Sequence, residues 1–213
     1  MKIAAVQMDI AWQDRKANHA KAKAMAAQAA DGGADLLILP EMFATGFSMD
    51  ISVTAEGIDG KTPGLIRALA VEHKVNIIAG FVLTEGHGKP KNVALAVNRD
   101  GADLSLYAKT HLIGLMDEDQ NYAPGNGPKT FVVDSVGVST LICYDLRFPE
   151  IFRAVANDVA LIVVIASWPA VRAAHWQMLL PARAVENQCY VVGVNRVGSG
   201  GGHDFAGEIG RAS

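Results

Sequence analysis

Short apolar runs alternate with amphipathic stretches from the first residue almost to the last. Leu36-Leu37-Ile38-Leu39 is apolar throughout and stops at Pro40, the pattern of a buried strand. Strands are also predicted over Lys2 to Gln7, Val75 to Leu83, Val159 to Ala166 and Tyr190 to Val194. Arg15 to Asp31 is Ala-rich with Lys21 and Lys23 on a wet face, and Gly32-Gly33 stops it as helices are commonly stopped. Further helices are predicted from Pro63 to about Lys74, from Pro149 to about Asn157, and across His175 to Gln188. Pro181 lies inside the last. An interior Pro costs about 3 kcal/mol, so a kink, or a helix that begins near it, is expected.

Asn92 to Asn98 and Leu104 to Tyr107 read as neighbouring antiparallel strands joined through Arg99-Asp100-Gly101. Phe131 to Asp134 and Gly137 to Ile142 form a second such pair, Gly86 to Pro90 a turn, and Leu115 to Pro128 a loop. This alternation predicts a layered α/β fold with mixed sheets. The chain of 213 residues suits a single domain over its whole length. After Val194 come Gly198, Gly200, Gly201 and Gly202, so the chain is expected to end in a glycine-rich loop without closing strands, C-terminally incomplete.

Half the residues are hydrophobic and 19% are charged, as in a folded globular protein. A net charge of −3, with no Lys or Arg cluster, gives no support for a nucleic-acid partner. The longest apolar stretch, Val159 to Ala166, is far below the roughly 20 residues a membrane helix needs. Gln7 and Asp9 interrupt the N-terminus too soon for a signal-peptide core. The two cysteines, Cys143 and Cys189, form no CxxC, and no His cluster has zinc spacing, so no metal is expected. A reducing, cytoplasmic location fits best and disfavours a disulfide.

Three strand ends each present one reactive side chain: Glu41 after Leu39-Pro40, Lys109 after Tyr107-Ala108, and Cys143 after Leu141-Ile142. Ligand sites of α/β folds gather at the carboxyl ends of strands, where these groups could meet. Cys143 followed by Tyr144-Asp145-Leu146-Arg147-Phe148-Pro149-Glu150 reads as a strand–turn–helix elbow. Such an elbow exposes a nucleophile, its helix N-terminus favours a thiolate, and the Tyr144 N–H could face an oxyanion. A small buried hydrophobe is the competing reading of Cys143, and spacing alone does not choose. Glu41 and Lys109 taken singly read as solvated side chains. Together they supply the base and the cation that a thiol nucleophile needs. Neither His111, two residues past Lys109, nor His175, expected to pack or cap, sits in a Cys–His hydrolase pattern.

Four segments, in this order, resemble the nitrilase, or carbon–nitrogen hydrolase, superfamily. They are Leu39-Pro40-Glu41, Tyr107 to Leu112, Ile142 to Glu150, and Ala182 to Gln188 ahead of an apolar strand. The resemblance implies a four-layer αββα sandwich and a homodimer formed through the helix after Cys143. It also implies no cofactor, with Glu41 as general base, Lys109 as oxyanion-stabilising cation and Cys143 as nucleophile. A second family glutamate implies Glu118, which precedes Tyr122 and Pro124-Gly125, with Asp117 and Asp119 as rivals. The sequence after Cys143, with Ser167-Trp168-Pro169 and His175-Trp176, looks like the ω-amidase branch, whose substrates are short 2-oxo dicarboxylic acid monoamides. Arg147 and Arg172 are the candidate cations for the substrate carboxylate, Arg147 having Glu150 or Asp145 as alternative structural partners. Another amidase or nitrilase activity on the same trio, or a non-catalytic scaffold, remain the other readings.

Overall fold

The computed structural model describes residues 1–212. Its strands form two mixed sheets laid face to face. The first contains β1 (Ile3–Ala5), β2 (Leu36–Ile38), β3 (Ala55–Glu56), β4 (Asn76–Leu83), β5 (Lys91–Val97) and β6 (Asp103–Ala108), in the order β1-β2-β4-β5-β6 with β3 paired to β4. The second contains β7 (Thr130–Val133), β8 (Val136–Ile142), β9 (Leu161–Ala166) and β10 (Tyr190–Asn195). Beyond a hairpin of β11 (Val197–Gly200) and β12 (His203–Ala206), β13 (Ile209–Ala212) joins the second sheet, giving the order β13-β10-β9-β8-β7. In each sheet three neighbouring strands run parallel, and antiparallel partners follow toward the edges.

Alternation along the strands builds the layers. Leu36 and Ile38 face the second sheet, while Leu37 and Leu39 face outward, beneath α1 (Arg15–Asp31) and α3 (Lys61–His73). Ala22 and Ala26 of α1 and Ile66 and Leu69 of α3 complete that outer core. On the far side, α5 (Pro149–Arg153) and α6 (Ala173–Asn187) cover the second sheet through Ile151, Phe152, Trp176, Leu180 and Ala184. Two further helices are single turns, α2 (Ile51–Thr54) and α4 (Glu118–Asn121). The molecule is therefore an αββα sandwich.

Several expectations are corrected. The stretch after Val194 is not a loop: it folds as the β11–β12 hairpin and then as β13, paired antiparallel to β10. The glycines there fill turn and close-packing roles; Gly193 and Gly210 lie so near Leu180 that a Cβ at either would clash. Helix α6 begins at Ala173 and runs through Pro181 without interruption, because buried Trp176, Leu180, Arg183 and Ala184 hold it on the sheet. Between Leu115 and Pro128 the chain forms α4, and the helix after Cys143 ends at Arg153 rather than near Asn157.

One glycine governs how the sheets meet the site. A Cβ on Gly80 would lie 2.8 Å from both the Glu41 Cα and the Met42 N, and 2.9 Å from Ile165 Cδ1. Gly80 also donates to the Pro40 carbonyl and accepts from the Phe43 N–H. Gly80→Ala is expected to lower the free energy of unfolding by about 1–3 kcal/mol, as overpacking does, and to depress activity further by displacing Glu41. Denaturant titration with a parallel activity assay measures both.

Candidate active site

The ends of β2, β6 and β8 converge on one point. Glu41 follows β2 by way of Leu39 and Pro40, and its successor Met42 adopts φ +48°, turning the chain sharply. Lys109 follows β6, its N–H donating to the Asn92 carbonyl at 2.9 Å. Gly125 donates to the Lys109 carbonyl, and a Cβ there would fall 2.1 Å from the Ala108 oxygen, so only glycine permits that approach. Cys143 follows β8 directly, at φ +46°, a left-handed geometry that costs energy for a non-glycine residue and clusters at functional sites.

The Lys109 ammonium, with 0% of its side chain exposed, contacts Glu41 Oε1 at 3.0 Å and both oxygens of Glu118 at 2.9 Å. Asn92 Nδ2 donates to Glu41 Oε1 at 2.7 Å and to Glu118 Oε1 at 2.9 Å. The Ser167 N–H donates to Glu41 Oε2, and the Ile113 N–H to Glu118 Oε2. Of the rival acids, Glu118 alone is buried; Asp117 and Asp119 point to solvent. Burial works against the charge on Lys109, but Glu118 and then Glu41 outweigh it and hold the ammonium above its ordinary range. Burial raises Glu118, and Glu41 adds to that, while Lys109 pulls it back only in part.

The thiol of Cys143 is pushed well above its ordinary value by burial first and by Glu41 second, against the pull of Lys109. The expected helix N-terminus does not reverse this. The residues from Cys143 to Arg147 form a tight 3-10 turn, and α5, starting at Pro149, has only five residues. A stored thiolate is therefore replaced by a buried thiol beside a carboxylate.

Asp145, fully buried, binds the elbow to the Lys109 segment. It accepts from the Ile142 N–H, the Tyr107 hydroxyl, the His111 N–H and His111 Nδ1. His111 also stacks on Phe148 at 3.7 Å. Asp145 is thus occupied, and Arg147 pairs with neither Asp145 nor Glu150 among the described ion pairs. Its Nη2 lies 3.1 Å from His175 Nδ1, with the guanidinium over the rings of Trp168 and Tyr144.

A cavity of about 290 Å³ opens onto Cys143. Tyr144, Arg147, Trp168 and Arg172 line it, with Phe47, Ile113 and Met116 opposite, and Leu115, 80% exposed, at its mouth. Asn195 fixes the Trp168 backbone from both sides, donating to its carbonyl and accepting from its N–H. Among the described residues, no group of three or more His, Cys, Asp or Glu side chains could hold a metal ion, and no helix is long and apolar enough to cross a membrane.

Sequence reasoning missed Asn92, the Ser167 N–H and the apolar wall from Phe47. Asn92 carried a signal: it is a polar residue opening an apolar strand, in phase with the inward-facing Ala94 and Ala96. Phe47 carried none, since its place depends on the fold of residues 42–60.

A protonated resting thiol has a direct spectroscopic consequence. A proton held in the folded state above its ordinary range is retained as pH rises through 9.0, where an unfolded cysteine ionises. The ultraviolet difference spectrum between the wild type and Cys143→Ser should show no thiolate absorbance below pH 9.0. A thiolate band at neutral pH would contradict the arrangement.

Comparison with known proteins agrees with this geometry. The carbon–nitrogen hydrolase family model matches residues 2–209. The 2-oxoglutaramate amidase of Bacillus subtilis (strain 168) is 35% identical over 207 residues, covering 96% of this chain and 80% of the relative. The omega-amidase YafV of Escherichia coli (strain K12) is 37% identical over 204 residues, covering 94% and 76%. The amidase from Nesterenkonia sp. AN1, solved as a variant carrying acrylamide added to its active-site cysteine, superposes with a TM-score of 0.92. It is 30% identical and covers 99% of this chain and 84% of that one. The chain belongs to the carbon–nitrogen hydrolase family, within the nitrilase superfamily, and is an enzyme that hydrolyses amide bonds.

Proposed function

We propose that the enzyme removes ammonia from the ω-amide of a short 2-oxo dicarboxylic acid monoamide, such as 2-oxoglutaramate, through a thioester on Cys143. The observation that carries the reading is the composition of the cavity. Among the described residues its only charged lining groups are two guanidiniums, Arg147 and Arg172, which share an otherwise largely apolar wall with Cys143. A substrate with a terminal carboxylate and a reactive amide a few bonds away suits such a cavity. The names of the relatives from Bacillus subtilis and Escherichia coli point the same way.

In this reading Cys143 Sγ attacks the amide carbon as Glu41 takes the thiol proton. The oxyanion is held by the Tyr144 N–H and by a Lys109 N–H. The ammonium can spare one: a second serves Glu41, and a third is shared between the two oxygens of Glu118. Glu41 passes its proton to the nitrogen, the C–N bond breaks and ammonia leaves. Glu41 then deprotonates a water that attacks the thioester carbon, and the proton returns to the sulfur as the acid departs. Glu118 orients Lys109 throughout and compensates its charge.

Assembly as a cytoplasmic homodimer through α5 is part of the proposal. The exposed Met178 and Val185 on the neighbouring α6 support it as apolar surface for a second copy. Sedimentation equilibrium should return twice the chain mass of 22.5 kDa; a monomer at micromolar concentration contradicts the dimer.

The substrate assignment is tested kinetically. Arg172→Ala should raise KM for 2-oxoglutaramate by about 10- to 100-fold, the value of a charged hydrogen bond, with little change for an uncharged amide of equal length. Equal effects on both substrates remove Arg172 from carboxylate binding. A wild-type preference for the uncharged amide replaces the ω-amidase reading with that of a general aliphatic amidase.

A further inference from the structure

The buried charge cluster contains a closed square of alternating acceptors and donors. Its corners are Glu41 Oε1, Lys109 Nζ, Glu118 Oε1 and Asn92 Nδ2, with sides of 3.0, 2.9, 2.9 and 2.7 Å. Two carboxylates therefore share one ammonium on one side and one neutral amide on the other. The orientation of that amide is dictated by its partners: rotated by half a turn, Asn92 would present Oδ1 to two carboxylate oxygens. As it stands, both N–H groups are used and Oδ1 is buried without a protein partner. The strand pairing holds the residue in place, since Asn92 sits across from Lys109 at the β5–β6 ladder and its carbonyl accepts the Lys109 N–H.

We propose that Asn92 is a positioning residue for the reaction: by giving one N–H to each glutamate, it lets both carboxylates remain ionised around a single ammonium and keeps Glu41 aimed at Cys143. The inference rests on Glu41 acting as the base. With Lys109 as sole charge compensation, two carboxylates and one ammonium leave a net negative charge among side chains with no exposed surface. A neutral donor eases that repulsion without adding a charge that would change the pull on the thiol. The other titratable groups facing the pair are Cys143 and, beyond Glu118, Tyr122, whose hydroxyl is pushed up to about 12 mainly by burial, with Asp50 behind it.

The pH dependence of kcat/KM for ammonia release from 2-oxoglutaramate tests this, in Asn92→Ala, Asn92→Ser and Asn92→Asp, with Glu41→Gln alongside and thermal melts to confirm folding. A lost hydrogen bond to a carboxylate favours its protonated form, so the acidic limb should move upward by about one pH unit in Asn92→Ala. The shift should be smaller in Asn92→Ser, which keeps one donor, and larger in the isosteric Asn92→Asp, which adds a third carboxylate. At a pH on the acidic limb kcat/KM should fall by up to about tenfold in Asn92→Ala, while KM at neutral pH stays within about twofold. An acidic limb unmoved in any folded variant overturns the proposal, whatever the loss in rate, because a purely structural role would not place the residue in the ionisation of Glu41. Inactive Glu41→Gln with unmoved Asn92 profiles rejects the role of Asn92 alone; active Glu41→Gln rejects the base on which it rests.

Discussion

A lysine ammonium stripped of water costs several kcal/mol unless opposite charge and hydrogen bonds replace its hydration. Lys109 has no exposed side-chain surface, and it stays charged because Glu41 and Glu118 approach within 3.0 Å. Much of the local architecture serves that compensation. Glu118 needs α4 and the Ile113 N–H; Glu41 needs the sharp turn at Met42 and the absence of a side chain at Gly80; Lys109 needs Gly125 packed against Ala108. Breaking any one of these leaves an uncompensated buried charge, which is far more damaging than losing a surface ion pair.

The same cluster surrounds the Cys143 thiol. Burial above all, and then Glu41, keeps the thiol from ionising readily, against the pull of Lys109. In the proposed mechanism the proton is therefore transferred during attack rather than lost beforehand to form a standing thiolate. The base in that mechanism lies in the same buried cluster as the thiol, and the oxyanion is held by the cation that restrains the base. Asp145 ties the Cys143 elbow to the segment that carries Lys109, so the two residues share one frame.

Much of this was legible along the chain, and what was hidden has a common cause. The unbroken apolar run from Leu36 to Leu39 marked β2 as a buried strand, and strand ends located Glu41, Lys109 and Cys143. Glu118 was separated from Asp117 and Asp119 only by the fold, because adjacent acids on a short helical turn look alike until one is buried. The C-terminal strands were obscured by glycine, which usually weakens a strand but is required here beside Leu180. The helix across Pro181 shows tertiary packing overriding a local cost. Asn92, Arg147 and the cavity wall are relations between distant segments, and hydrophobic period carries no information about those.

The central claim is that Cys143 forms a covalent thioester with the acyl part of an amide. Acid-quenched mixing with 2-oxoglutaramate, followed by peptide mass spectrometry, addresses it directly. The account predicts an adduct equal to the substrate less ammonia, confined to the peptide bearing Cys143 and absent from the Cys189 peptide. Ammonia release at full rate with no adduct on Cys143, or turnover retained in Cys143→Ala, would contradict it.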